Sequence, residues 1–97
     1  MESVKRIEIV TEARQMPAVI AALESAGITA YTLLKDVVGR GERGLQGGDE
    51  LTDVFKNNYL LTTCTAEQLE RVVAAVRPIL ARRGGICLVS DALWVRH

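Results

Sequence analysis

Apolar and polar positions alternate at the start of the chain. Over residues 4–12, Lys5, Ile7 and Ile9 alternate with Arg6, Glu8 and Val10, a period-two pattern that predicts a strand with a mixed outer face. The period then changes. Met16, Val19, Ile20 and Leu23 recur at i, i+3, i+4 and i+7, one stripe of an amphipathic helix over 15–26. Pro17 suits its first turn, where the missing N–H has no intrahelical partner. Gly27 is a natural terminator just past its end. Residues 28–38 are rich in β-branched and aliphatic side chains and predict a second strand, and 54–64 predict a third. Thr65, with Gln68 three positions on, has the spacing of a capping box. Leu69, Val72, Val73, Val76, Ile79 and Leu80 then carry a helical stripe. Pro78 lies inside it and is expected to kink the helix or loosen its final turn. Arg82 and Arg83 suit a helix C-terminus, Gly84-Gly85 breaks the helix, and 86–95 predict the last strand.

The order β-α-β-β-α-β predicts an α+β fold, the ferredoxin-like βαββαβ sandwich. It is a four-stranded antiparallel sheet with two helices on one face. The single domain spans 1–97. The other sheet face carries Leu, Val and Tyr side chains, more apolar surface than a monomer usually exposes, so a homo-oligomer built on that face is expected.

Composition narrows the classes. Only four residues are Phe, Trp or Tyr, so the core must be aliphatic. Twelve basic residues balance 12 acidic ones, which argues against a general nucleic-acid binder, since that needs a basic surplus. An RNA-binding module of this fold would also need paired aromatics on its central strands. No apolar run approaches the roughly 20 residues that span a bilayer, and charged residues interrupt the N-terminus where a signal peptide would need an apolar run. The chain reads as cytoplasmic and not membrane-inserted. Cys64 and Cys87 have no second Cys or His at ligand spacing and read as small buried residues. His97 is the only histidine, so neither a metal site nor a nucleophile–base pair assembles by spacing, and no catalytic residue is assigned.

Five of the eight glycines fall between Gly39 and Gly48, interleaved with Arg40, Glu42 and Arg43. Glycine lets backbone N–H groups approach a ligand, and arginine supplies forked donors for phosphate or carboxylate. The stretch reads as an anion-sensing loop; a plain hairpin connection is the alternative. Asp49, Glu50 and Asp53 supply too few oxygens for a divalent ion and read as solvated.

Four segments resemble the PII signal-transduction superfamily. Residues 4–10 resemble its opening Lys-Lys-Ile-Glu strand, and 26–33 its Gly-Ile-Thr-Gly-Met-Thr-Val segment. Gly39-Arg40-Gly41, followed by Arg43 and Gly44, resembles the Gly-Phe-Gly-Arg base of its T-loop, after a one-residue insertion. Residues 92–96 resemble the Ala-Arg-Val-Ile-Arg end of its last strand. The resemblance implies a homotrimer with adenine nucleotides in clefts between subunits and a T-loop, here about 39–53, that reports to a partner. By position it implies that Val10 lies beside the base, that Thr32 and Thr63 line the pocket, and that Gly39 and Gly41 form the T-loop base. Arg96 would reach phosphates from a neighbouring subunit.

The chain departs from the family at telling places. The loop is short and has no tyrosine, so tyrosine uridylylation there is not available. The phosphate loop Thr-Gly-Lys-Ile-Gly-Asp-Gly-Lys is replaced by the shorter stretch 81–85, with Gly85 where the family has a phosphate-binding lysine. ADP or AMP therefore fits better than ATP, with Arg82 or Arg83 replacing the lysine beside Gly84 and Gly85. Short-loop members of this kind are associated with bicarbonate transport and carboxysomes. Bicarbonate is a planar anion that Arg40 or Arg43 could pair bidentately beside Gly39 and Gly41. The expected function is a non-enzymatic regulator of inorganic carbon uptake or carboxysome-linked metabolism. A bicarbonate transporter or other membrane protein is its possible partner. A nitrogen-type PII regulator and a nucleotide-independent trimeric scaffold are the alternatives.

Overall fold

The first strand is the centre of the fold. In the computed structural model, which describes residues 1–39 and 56–97, β1 (Glu2–Glu12) pairs with β3 (Asn57–Cys64) on one side and β4 (Ile86–Trp94) on the other. β2 (Thr32–Val37) completes an antiparallel sheet of order β2-β3-β1-β4. Helices α1 (Met16–Ser25) and α2 (Ala66–Arg83) connect the strands and complete the expected βαββαβ order. The expectations on Arg40, Gly41, Arg43, the T-loop and the acidic cluster lie outside the described residues.

Period two decides which side of the sheet is covered. Ile7, Ile9 and Leu60 are fully buried beneath the helices, with Cys64 beside them. Their neighbours in sequence, Arg6, Glu8, Tyr59 and Leu61, face away on the helix-free side. The helical stripes meet these strands as their spacing implies: Met16, Val19 and Leu23 from α1 and Val72 and Val76 from α2 are buried, with Leu69, Ile79 and Leu80 packed around them.

The helix ends obey local chemistry. The Thr65 hydroxyl accepts the Gln68 N–H at 3.1 Å while the Gln68 side chain accepts the Thr65 N–H at 2.9 Å, the reciprocal capping box. Gly27 takes φ +95 just beyond α1. Pro78 does not interrupt α2, which runs as helix to Arg83. Proline deprives the carbonyl four residues back of its donor. Here that residue is Ala74, which is exposed like Pro78 itself, so water can satisfy the freed carbonyl.

One strand is shorter than its sequence suggests. β2 begins at Thr32, not at residue 28, because Ile28 turns inward after Gly27 and is buried in the core. β3 is described from Asn57, and its predicted start at Val54 lies outside the described residues. Cys64 is buried as expected, but Cys87 is only half-buried. Burial pushes both thiols up from their ordinary value, with Lys5 pulling Cys64 slightly back. The shift disfavours the thiolate form at both positions.

Candidate functional site

The sequence-predicted residues fall at two ends of one sheet, apart from Thr32 and Thr63, which lie between them. At the first end Val10 stands opposite Tyr59 and Ile86, and Gly84-Gly85 joins α2 to β4. Gly39, at the exit of β2, belongs to the same end, since Val37 pairs with Asn57 at the start of β3. Arg96 lies beyond Trp94, which pairs with Glu2 at the far end of β4. Ten residues of extended chain separate it from Ile86, roughly 33 Å at strand rise. One protomer therefore brings Val10, Gly39, Gly84 and Gly85 to one end and does not bring Arg96 to them.

The first end is built tightly. Gly84 and Gly85 take φ +90 and +122, conformations that favour glycine. A Cβ on Gly85 would lie 2.6 Å from the Val10 carbonyl oxygen and 2.9 Å from Thr11 Oγ1. The buried Thr11 hydroxyl donates to the Gly84 carbonyl at 3.0 Å, and the Gln15 amide donates to Thr11 Oγ1 at 2.8 Å. Arg82 and Arg83 occupy the last turn of α2 immediately before this turn, exposed.

Val10, Thr32 and Thr63 share the helix-free face. Thr32 stands opposite Leu61, and Thr63 opposite Arg6. Polar groups cross the middle of that face. The Tyr59 hydroxyl donates to Glu8 Oε2 at 2.7 Å, and the Arg6 Nε donates to the Ser90 hydroxyl at 3.1 Å. The hydrogen bond to Glu8 raises the Tyr59 pKa, reinforced by desolvation and by the carboxylate's charge, while Arg6 opposes it. Around these groups Leu34, Ile86, Leu88 and Trp94 remain 39–56% exposed, a large apolar area for a lone protomer.

Arg96 is held in its own protomer. Its guanidinium donates twice to Glu2 Oε1, once from Nε at 2.8 Å, and lies 5.2 Å from the Trp94 ring centroid. Trp94 is partly exposed beneath this cation and not packed in the core. Among the described residues no three His, Cys, Asp or Glu gather as metal ligands, and no helix is long and apolar enough to cross a membrane.

Sequence reasoning missed Thr11, Gln15, Asp36 and Asn58 at the first end. The signal was present in β3, whose core-facing positions Asn58, Leu60, Thr62 and Cys64 include an amide among small or apolar groups. Asn58 Oδ1 accepts the Asp36 N–H at 3.1 Å.

Fold and geometry together define a ferredoxin-like α+β protein in which Val10, Gly39, Gly84 and Gly85 lie at one end of the sheet, Arg96 lies at the other, and Thr32 and Thr63 lie between them. The chain belongs to the nitrogen regulatory protein P-II family, whose model matches residues 4–97. No curated protein matches the sequence. Among solved structures, the chain resembles CPII, a nitrogen regulatory PII-like protein from Thiomonas intermedia K12, bound to ADP, AMP and bicarbonate. The TM-score is 0.79 at 20% identity, covering 93% of this chain and 86% of that one. CPII bound to ADP and bicarbonate gives 0.78 at 20% identity, with the same coverage. A PII-like signaling protein from Thermus thermophilus gives 0.72 at 21% identity, covering 94% of this chain and 88% of that one.

Proposed function

We propose that this P-II family protein is a non-enzymatic, cytoplasmic regulator that binds ADP or AMP in the clefts of a homotrimer. One wall of each cleft is Val10, Thr32, Gly39, Arg40, Gly41, Thr63, Arg83, Gly84 and Gly85 of one protomer. Arg96 of a neighbour closes it. The observation that supports this reading is the separation along β4: Arg96 and Gly85 lie at opposite ends of that strand, so a site that holds both needs a second protomer. The turn at Gly84-Gly85 holds no lysine and is preceded in the chain by Arg82 and Arg83, which suits a smaller phosphate load than ATP. Bicarbonate is the second ligand, taken by Gly39, Arg40, Gly41 and Arg43. Support for both ligands comes from CPII, which was solved with ADP, AMP and bicarbonate. The loop after Gly39 reports the bound state to a membrane partner such as a bicarbonate transporter. Inorganic carbon uptake or carboxysome-linked metabolism is thereby regulated.

Calorimetry with ATP, ADP and AMP, with and without bicarbonate, tests this directly. ADP or AMP is expected to bind more tightly than ATP, and bicarbonate to change that affinity, with the reciprocal change in its own. Absence of adenine-nucleotide binding at millimolar concentration overturns the reading. Replacing Arg96 with Ala is expected to weaken ADP binding. Its loss costs the fold less than about 1 kcal/mol, because an exposed ion pair contributes little.

A further inference from the structure

A row of polar groups crosses the sheet beneath the helices, at the end where Val38 and Gly39 leave it. On the β4 side, Thr11 binds the Gly84 carbonyl and Gly85 presses against the backbone of Val10. Thr11 stands opposite Asn58 in the β1–β3 ladder. On the β2 side, Asn58 is 6% exposed and accepts the Asp36 N–H.

Asp36 is unusual. Its φ of +60 is the only positive value of a non-glycine among the described residues. It belongs to a bulge: Leu34 pairs with Tyr59 and Val37 with Asn57, so Lys35 and Asp36 together oppose Asn58 alone. The bulge absorbs one extra residue, which suits the one-residue insertion that the family resemblance implies ahead of Gly39. A non-glycine residue at positive φ is strained and persists where its surroundings fix it. Stability alone does not call for Asn58. Asp36 is exposed, so water could satisfy its N–H, and an apolar side chain would suit a core-facing position better.

We infer that this row is a positioning element for the nucleotide site, with Asn58 clamping the bulge at Asp36 so that Gly39 is aimed at a fixed span from Gly84-Gly85. The inference rests on the proposed nucleotide cleft, in which these glycines are two walls. Asp36 and Gly85 are three strand intervals apart, about 14 Å at ordinary sheet spacing. A bulge re-aims the chain on its C-terminal side, and here that chain is the cleft wall at Gly39. Asp36 and Asn58 touch no ligand in this scheme and act through Gly39.

ADP calorimetry on three full-length variants tests it: deletion of Asp36, Asn58→Ala, and Asn58→Asp, which keeps the acceptor. The deletion regularises the ladder, so its melting temperature is expected to match or exceed the parent's. Its ADP affinity is expected to fall about tenfold, as when only a tenth of molecules hold the competent geometry. Asn58→Ala is expected to fall in the same direction and Asn58→Asp to recover most of the loss. Circular dichroism selects the folded variants, and the Asn58 pair decides if the deletion does not fold. Parental affinity in a folded deletion or in Asn58→Ala overturns the inference while leaving the nucleotide site standing. Failure of Asp to restore what Ala loses overturns it as well. A parent chain that binds no nucleotide overturns the site and this inference together.

Discussion

Gly85 and Tyr59 are the residues whose chemistry is most constrained. Alanine at position 85 would push a Cβ into the Val10 carbonyl and Thr11, at φ +122, where a side chain is already strained. Overpacking and backbone strain each cost on the order of 1–3 kcal/mol, and both partners here are backbone or buried side chain. Gly85→Ala is therefore expected to lower stability by about 3 kcal/mol, read as a fall in the urea midpoint at unchanged slope. A lysine at this position would meet the same walls. Glycine at this position thus permits the turn that the close packing requires. Tyr59 makes a pH prediction. Its pKa is raised, first by the hydrogen bond to Glu8. A raised value means the folded state holds the proton more tightly. That contribution to stability is complete below the free tyrosine value of about 10 and is lost as pH climbs through the folded pKa. Unfolding midpoints measured between pH 8 and 11 should therefore fall on the alkaline side. The Tyr59→Phe variant, lacking this group, should fall less steeply.

At the scale of elements, α2 carries an avoidable cost. Pro78 forfeits a helical hydrogen bond that water replaces only in part. Proline disfavours a helix interior by about 3 kcal/mol relative to alanine, offset by up to about 1 kcal/mol because it also restricts the unfolded chain. Pro78→Ala is expected to stabilise the protein by about 2 kcal/mol, visible as a higher melting temperature. The same proline marks where sequence reading falters. Period and capping place all six elements because they depend on near neighbours: Thr65 with Gln68, and Met16 with Val19 and Leu23. They put Ala74 and Pro78, four residues apart, on one face, but the exposure of that face is set by how α2 docks on the sheet. They cannot show that Thr11 reaches Gly84, a contact across 73 residues of sequence. Val10 and Gly85 are marked by family resemblance, and the structure adds the reason they belong together, a backbone contact with no room for a side chain. The bulge at Asp36 is legible only as an inserted residue, because left-handed backbone at an aspartate leaves no mark in composition or period.

At the scale of the molecule, β4 has too much apolar surface for a lone protomer. Ile86, Leu88 and Trp94 are exposed on the helix-free face, and Val89 and Leu93 on the other, because the helices do not cover this edge strand fully. At roughly 25 cal/mol per Å² of apolar surface, burying such a strip favours association. The same strand separates Gly85 from Arg96. Assembly and ligand binding are therefore expected to fail together. Leu88→Glu places a charge in the centre of the helix-free face, two residues from Ser90 and opposite Glu8, where a like charge adds repulsion. Leu88 is 56% exposed in the protomer, so the substitution leaves the core untouched and the chain should still fold. Light scattering is expected to give a trimer for the parent and a monomer for the variant, and calorimetry a loss of ADP binding that tracks the loss of mass. A monomeric Leu88→Glu chain that binds ADP as tightly as the parent would place the whole site within one protomer and remove Arg96 from it. A trimeric variant with parental affinity would instead leave the site between subunits and show that the helix-free face is not what joins them.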